Sequence, residues 1–162
     1  LSGLYFRGKV AYVERFSQSP SGAVGAWVIT SNQGLLPLHA PIGLEDIRSF
    51  SQTPIASDEP RYLDPLRRDL ARLVTENDAS TEYVLLGSVS TDKYSEALLS
   101  VLGDRVLFPS DFLGRGDMSR GALMLRHSRS GVELDYAPLS SVSLKKRRVA
   151  KTRSAAVFRG RQ

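Results

Sequence analysis

The sequence contains no cysteine. That excludes disulfides, thiolate metal ligands and cysteine nucleophiles, and it fits a reducing compartment, so a cytoplasmic location is expected. Histidine is nearly as scarce. His39 and His127 are far apart, which argues against a histidine-rich metal centre. Neither a metal nor a cofactor is expected. No apolar run approaches the roughly 18 residues of a membrane span, and no signal-peptide pattern opens the chain, so no membrane association is expected. The three spaced glycines of a dinucleotide fingerprint are missing, as is the Gly-Lys-Ser/Thr of a Walker loop. Acidic residues are absent from the last 18 positions.

That last absence divides the charge. Eight basic residues lie in 145–162, among them Lys145, Lys146, Arg147, Arg148, Lys151 and Arg153, which leaves 14 basic against 17 acidic residues in 1–144. The net charge of +5 therefore belongs to the tail, and the body is slightly acidic. With 41% hydrophobic residues, the body can bury one sizeable core. One domain is expected over 1–144, followed by a basic, disordered tail that grips phosphates of any sequence.

Within the body, residues 83–136 organise the rest. Tyr83-Val-Leu-Leu-Gly-Ser88 reads as a buried strand ending in a glycine turn. Thr91 or Asp92 can cap a helix over 92–102 whose apolar face is Tyr94, Ala97, Leu98, Val101 and Leu102, and Gly103 stops it. Arg105-Val-Leu-Phe-Pro109 supplies another strand. Upstream, Gly25-Ala-Trp-Val-Ile-Thr30 is a short continuous apolar run, as in a strand covered on both faces. Leu63, Leu66, Leu70, Leu73 and Val74 form one helical stripe over 63–76. Val10, Val13 and Phe16 with Tyr12 mark a helix over 8–17; Tyr5 and Tyr12 are either half-buried packing or ligand-facing rings. Residues 43–60 are irregular, with one helical turn at 44–50, and can be a lid or merely mobile. Residues 122–127 and 132–137 alternate like a β-hairpin about Gly131, in which His127 and Asp135 can pair; a helix over 118–129 is the alternative. These elements predict an α/β fold, a three-layer Rossmann-like domain with a mainly parallel sheet (25–30, 83–88, 105–109), a C-terminal β-hairpin and the tail.

Open α/β sheets bind ligands beyond the carboxyl ends of their strands. Three turns are candidates there. The turn with Ser31, Asn32 and Gly34 can bond a base or sugar, or can simply be a turn. Gly87 and Ser88, followed by the helix with Tyr94, offer backbone N–H groups to an anion. The loop 110–121 holds Asp111, Arg115, Asp117 and Arg120 among glycines, where two guanidinium forks can meet one anion or pair with the local carboxylates instead. Arg115-Gly-Asp117 spells an integrin motif, which we discount as a chance tripeptide. His39, between prolines with no acidic partner close in sequence, reads as a structural or solvent-facing histidine rather than a general base.

Leu4-Tyr5 with Gly8, Val28-Ile-Thr-Ser-Asn-Gln-Gly-Leu-Leu36 with Pro41-Ile42, and Leu86-Gly87 with Tyr94, Leu98, Leu102 and Pro109 resemble bacterial α/β proteins of the YaaA-like and related groups over about residues 4–117. The Cys-Ser-Lys-type turn with which those groups open is absent here. The resemblance implies a Rossmann-like sheet, a link to DNA or nucleobase metabolism, and Ser31, Gly34, Gly87 and Tyr94 around the cleft.

The leading expectation is thus a nucleic-acid- or nucleotide-associated protein. It would hold a phosphate or base through Ser31, Asn32, Gly34, Gly87, Ser88, Tyr94, Arg115 and Arg120, with the tail adding nonspecific affinity. An enzyme acting on a nucleoside or small phosphorylated metabolite is the alternative, with Asp111 or Asp117 as acid/base group. A protein-interaction module of a larger bacterial assembly is the third reading.

Overall fold

In the computed structural model, the described residues are 3–19, 25–89 and 93–142. In chain order the described residues include the α-helices and strands α1 (Gly3–Phe16), β1 (Trp27–Ile29), β2 (Leu35–Pro37), α2 (Leu44–Gln52), α3 (Pro60–Glu76), β3 (Tyr83–Val84), α4 (Ser95–Leu102), β4 (Val106–Pro109), α5 (Asp117–Ser130) and β5 (Tyr136–Pro138), with short 3-10 turns at Gly103–Arg105 and Ser110–Phe112. The helices at 8–17, 63–76 and 92–102 correspond to α1, α3 and α4, and the irregular stretch 43–60 contains α2. Thr91, Asp92 and the tail residues from Lys145 onward lie outside the described residues.

The mainly parallel Rossmann sheet is corrected. The described residues form two small sheets: β1 and β2 form an antiparallel pair, and β3-β4-β5 form a mixed sheet in that order. The first run does not join the other two because its own turn captures it. Thr30 donates from both its backbone N–H and Oγ1 to the Gly34 carbonyl, each at 2.9 Å, and its Oγ1 accepts from the Gln33 N–H at 3.0 Å. Gly34, at φ +70°, takes the left-handed conformation the return requires. Five residues between strands allow an antiparallel return but not a parallel crossover. The run is accordingly half-buried rather than covered on both faces.

Among the described residues the one parallel pairing is β3 with β4, in register Tyr83 to Val106, joined through α4. β5 lies antiparallel on the other side of β4. The C-terminal hairpin is the second correction. Residues 117–130 form α5, the helical alternative. Its buried stripe is Arg120, Gly121, Leu123 and Met124, so two of four inward positions are not apolar and the helical period is masked. Gly131, at φ +69°, caps the helix, its N–H reaching the His127 carbonyl at 3.0 Å. His127 Nδ1 then sits 2.8 Å from the Val132 carbonyl instead of pairing with Asp135.

α1 packs extensively on α5. Its buried face is Tyr5, Gly8 and Tyr12, not the valine face. A Cβ on Gly8 would stand 2.7 Å from the Gly121 carbonyl oxygen, and one on Gly121 would stand 2.8 Å from that of Leu4. The two backbones touch because both residues are glycine. The core includes Tyr62, Leu66, Leu70, Val106, Phe108, Phe112, Met124 and Leu139, with the Phe108 and Phe112 rings edge-on at 5.8 Å.

Candidate functional site: a cationic cluster at the ends of the parallel strands

The α1–α5 crossing decides which side chains meet beyond β3 and β4. Tyr5 and Lys9 are one helical turn apart on α1, and Lys9 Nζ lies 4.2 Å from the centre of the Tyr5 ring. Arg120 rises from the first turn of α5 and is 8% exposed, rare burial for a guanidinium. Its Nε donates to the Phe112 carbonyl at 3.2 Å, its Nη1 lies 3.6 Å from Asp117 Oδ1, and its guanidinium faces the Phe112 ring. These contacts hold Arg120 in one pose.

Gly87 is bracketed by two phenols. Tyr5 Oη donates to the Leu86 carbonyl at 3.1 Å, and Tyr94 Oη donates to the Ser88 carbonyl. A Cβ on Gly87 would fall 2.7 Å from the Tyr94 hydroxyl. β3 ends at Val84, its ladder with β4 extends through Leu85 N–H to the Leu107 carbonyl at 2.9 Å, and Leu86 and Gly87 follow that bond. The cluster therefore sits at the carboxyl end of the parallel pair, where α/β sheets place ligands.

The electrostatics tie these groups together. Burial pushes the Tyr5 hydroxyl above its ordinary value, and the neighbouring Arg120 opposes it. Burial and then Tyr5 push Tyr94 up to about 12. Lys9 moves down, first through burial and also through Arg120, while Asp117 pulls it back up. At neutral pH the phenols are thus neutral donors, beside two cations and one carboxylate.

The sequence candidates are only partly brought together. Gly87, Ser88, Tyr94, Asp117 and Arg120 converge. Arg115 does not; its Nε donates to the Asp111 carbonyl at 2.7 Å and its Nη1 to Ser119 Oγ at 3.2 Å, in an exposed turn. Asp111 is likewise exposed. Ser31, Asn32 and Gly34 belong to a different network. Ser31 Oγ donates to the Phe50 carbonyl at 2.8 Å, Asn32 Nδ2 to Ser49 Oγ at 2.5 Å, and Gln33 Nε2 to Asp46 Oδ1 at 2.9 Å, so this turn anchors α2. A Cβ on Gly34 would fall on the Asp69 carboxylate.

Sequence reasoning does not single out Lys9, and it allows Tyr5 either packing or ligand contact. The signal for both is the i, i+4 spacing around Gly8, which places tyrosine and lysine on one side of a helix whose glycine invites close packing. A shallow groove of about 600 Å³ runs along Leu4, Ala122, Leu125, Arg126, Arg129 and Ser130, and none of the cluster residues lines it. Among the described residues no group of acidic, histidine or cysteine side chains can hold a metal, and no helix is long and apolar enough to cross a membrane.

Fold and site together define a small α/β protein with a cationic, tyrosine-lined cluster at its parallel strand ends. Comparisons of the chain with protein-family models, with curated proteins and with solved structures find no match.

Proposed function

We propose that the protein binds a phosphate-bearing nucleotide or nucleic-acid group at this cluster, with Lys9 and Arg120 as the anion-binding cations and Tyr5 and Tyr94 as neutral phenols that hold the Leu86–Ser88 backbone beside them. The carrying observation is the charge imbalance in a half-buried place. Two cations stand against Asp117 alone, and Lys9 has no ion pair among the described residues, only the Tyr5 ring. An anion from outside would complete that balance, and a desolvated cation attracts it more strongly than an exposed one. The position beyond β3 and β4 supports the same reading. The partner chemistry follows from the phosphate match and from the basic tail in the sequence.

The test uses Lys9→Gln. Lys9 makes no ion pair that the fold depends on, so the variant should fold normally. Titration calorimetry with inorganic phosphate and nucleoside monophosphates should show binding weakened about tenfold or more, the scale of one charge-assisted contact. Equal affinity in the variant and the wild type, or no anion binding by either, would sink the reading.

A further inference from the structure

α2 is held from one side. Its inward residues meet the turn at 31–33, through the Phe50 carbonyl, Ser49 Oγ and Asp46 Oδ1. None of its nine residues is buried. On the outer side Leu44 and Ile47, three positions apart, are 72% and 56% exposed, and Ile42 and Ile55 are exposed just before and after the helix. A lone exposed aliphatic is ordinary, but four on one short segment mark an interaction surface. The segment is also acidic. Residues 42–61 hold Glu45, Asp46, Asp58 and Glu59 against Arg48 and Arg61, and both arginines are taken up by Glu45 and Glu59.

The groove between α1 and α5 has the opposite character. Leu4 and Leu125 are half-buried in it, and Arg126 and Arg129 are exposed along it. Arg15 adds a third guanidinium beside the end of α5, where a Cβ on Gly131 would stand 3.0 Å from its Nη2. None of these three arginines makes an ion pair among the described residues. The C-terminal end of a helix favours a cation, but its partial charge does not neutralise three.

We propose that these two surfaces bind each other between copies of this chain, the outer face of α2 in one copy seating in the α1–α5 groove of the next. Leu44 and Ile47 then cover Leu4 and Leu125, and the surrounding carboxylates face the arginines. Charge sign selects this pairing. Groove on groove would set arginine against arginine, and α2 on α2 would set carboxylate against carboxylate. A nucleic-acid strand would satisfy the arginines, but the groove lining holds no aromatic ring for a base to stack on, and the α2 face would stay bare. Because two different faces meet, the contact is head-to-tail: every copy keeps one face open to a further copy unless the assembly closes into a ring. One nine-residue helix in a shallow groove is a small contact, below the roughly 1,200 Å² of stable complexes, so association is weak and salt-sensitive. The anion site plays no part in it.

The experiment is sedimentation velocity on the full chain from about 1 μM to about 1 mM, the range in which so small an interface associates. Wild type should shift to dimers and larger species with concentration, and back towards monomer with added salt. Two double variants, Arg126→Glu with Arg129→Glu and Leu44→Lys with Ile47→Lys, change exposed side chains only and should melt as wild type does. Each alone should stay monomeric. Mixed in equal amounts they should form a dimer and nothing larger, because each supplies the one face the other lacks. A wild type that is monomeric throughout would overturn the proposal. So would a groove variant that assembles like wild type, including one that instead loses affinity for a duplex oligonucleotide, which would make the groove a polyanion site. Two monomeric variants whose mixture stays monomeric would show that these faces do not meet each other, and would overturn it as well.

Discussion

Asp69 shows how one buried side chain can specify a turn. It lies on the inward stripe of α3, 4% exposed, where an aliphatic residue would suit the helix period. Its Oδ2 accepts the Leu35 N–H at 2.9 Å, and its Oδ1 accepts from Arg68 Nε at 3.0 Å. The carboxylate thereby binds the start of β2 to α3. Burial alone would raise its pKa, but the bonds from Arg68 and Leu35 N–H, with the charges of Arg68 and Arg72, outweigh it and hold it below the usual carboxylate range. The folded value is thus below the unfolded one. Its contribution to stability is present above the unfolded value of about 4 and is lost as pH falls through the folded value. Asp69→Asn should therefore flatten the acid limb of a stability-against-pH curve measured by urea unfolding. Asp69→Ala should cost about 1–3 kcal/mol at neutral pH, because the buried Leu35 N–H loses its acceptor. An unchanged acid limb in Asp69→Asn would show that other carboxylates carry the pH dependence.

At the scale of elements, the α1–α5 crossing is both the framework and the positioning device for the cluster. Gly→Ala inside an exposed helix is normally worth about 1 kcal/mol in favour of alanine. At Gly121 the sign should reverse, because the added Cβ would meet the Leu4 carbonyl and the Tyr5 backbone, which cannot swing aside as a side chain can. Overpacking of this kind typically costs about 1–3 kcal/mol. Gly121→Ala should lower the melting temperature and, by moving Tyr5 and Lys9 relative to Arg120, weaken anion binding as well. A variant as stable as wild type would mean that the helices separate at little cost. The same crossing explains what could and could not be read in advance. α3 and α4 were legible because leucines mark their buried faces at helical spacing. α5 was not, because its inward residues include an arginine and a glycine, and Leu123 and Leu125 alone mimic a strand. The sequence overstates the parallel sheet because a continuous apolar run looks alike in a covered strand and in a short ribbon with one face on the core. Gly87, Tyr94 and Arg120 could be named from local turns and caps. Their meeting with Tyr5 and Lys9 is a long-range consequence of two glycines 113 positions apart (Gly8 and Gly121). Nothing in the local pattern announces it.

For the whole molecule, charge is distributed in two places with different physics. The body through residue 144 has three more acidic than basic residues, yet it gathers Lys9 and Arg120 at one half-buried point, while the tail carries eight basic residues and no acidic one. A cation in a desolvated cluster acts on one anion at contact distance and is screened only weakly by salt. Cations strung along a tail act by displacing counterions from a polyanion, so their contribution falls steeply with salt. The two modes should therefore separate. Replacing Lys145, Lys146, Arg147 and Arg148 with glutamine in the full chain should leave the affinity for a nucleoside monophosphate unchanged. Against duplex DNA or RNA, the same variant should bind more weakly at low salt, and the slope of log affinity against log salt should fall by up to about 3–4, since each phosphate contact contributes about 0.9. Lys9→Gln should do the reverse, weakening the mononucleotide and changing the slope by no more than about one contact's worth. A four-residue tail variant whose salt slope matched wild type would assign polyanion affinity to the folded body, despite its net negative charge, and would leave the tail without a role in binding.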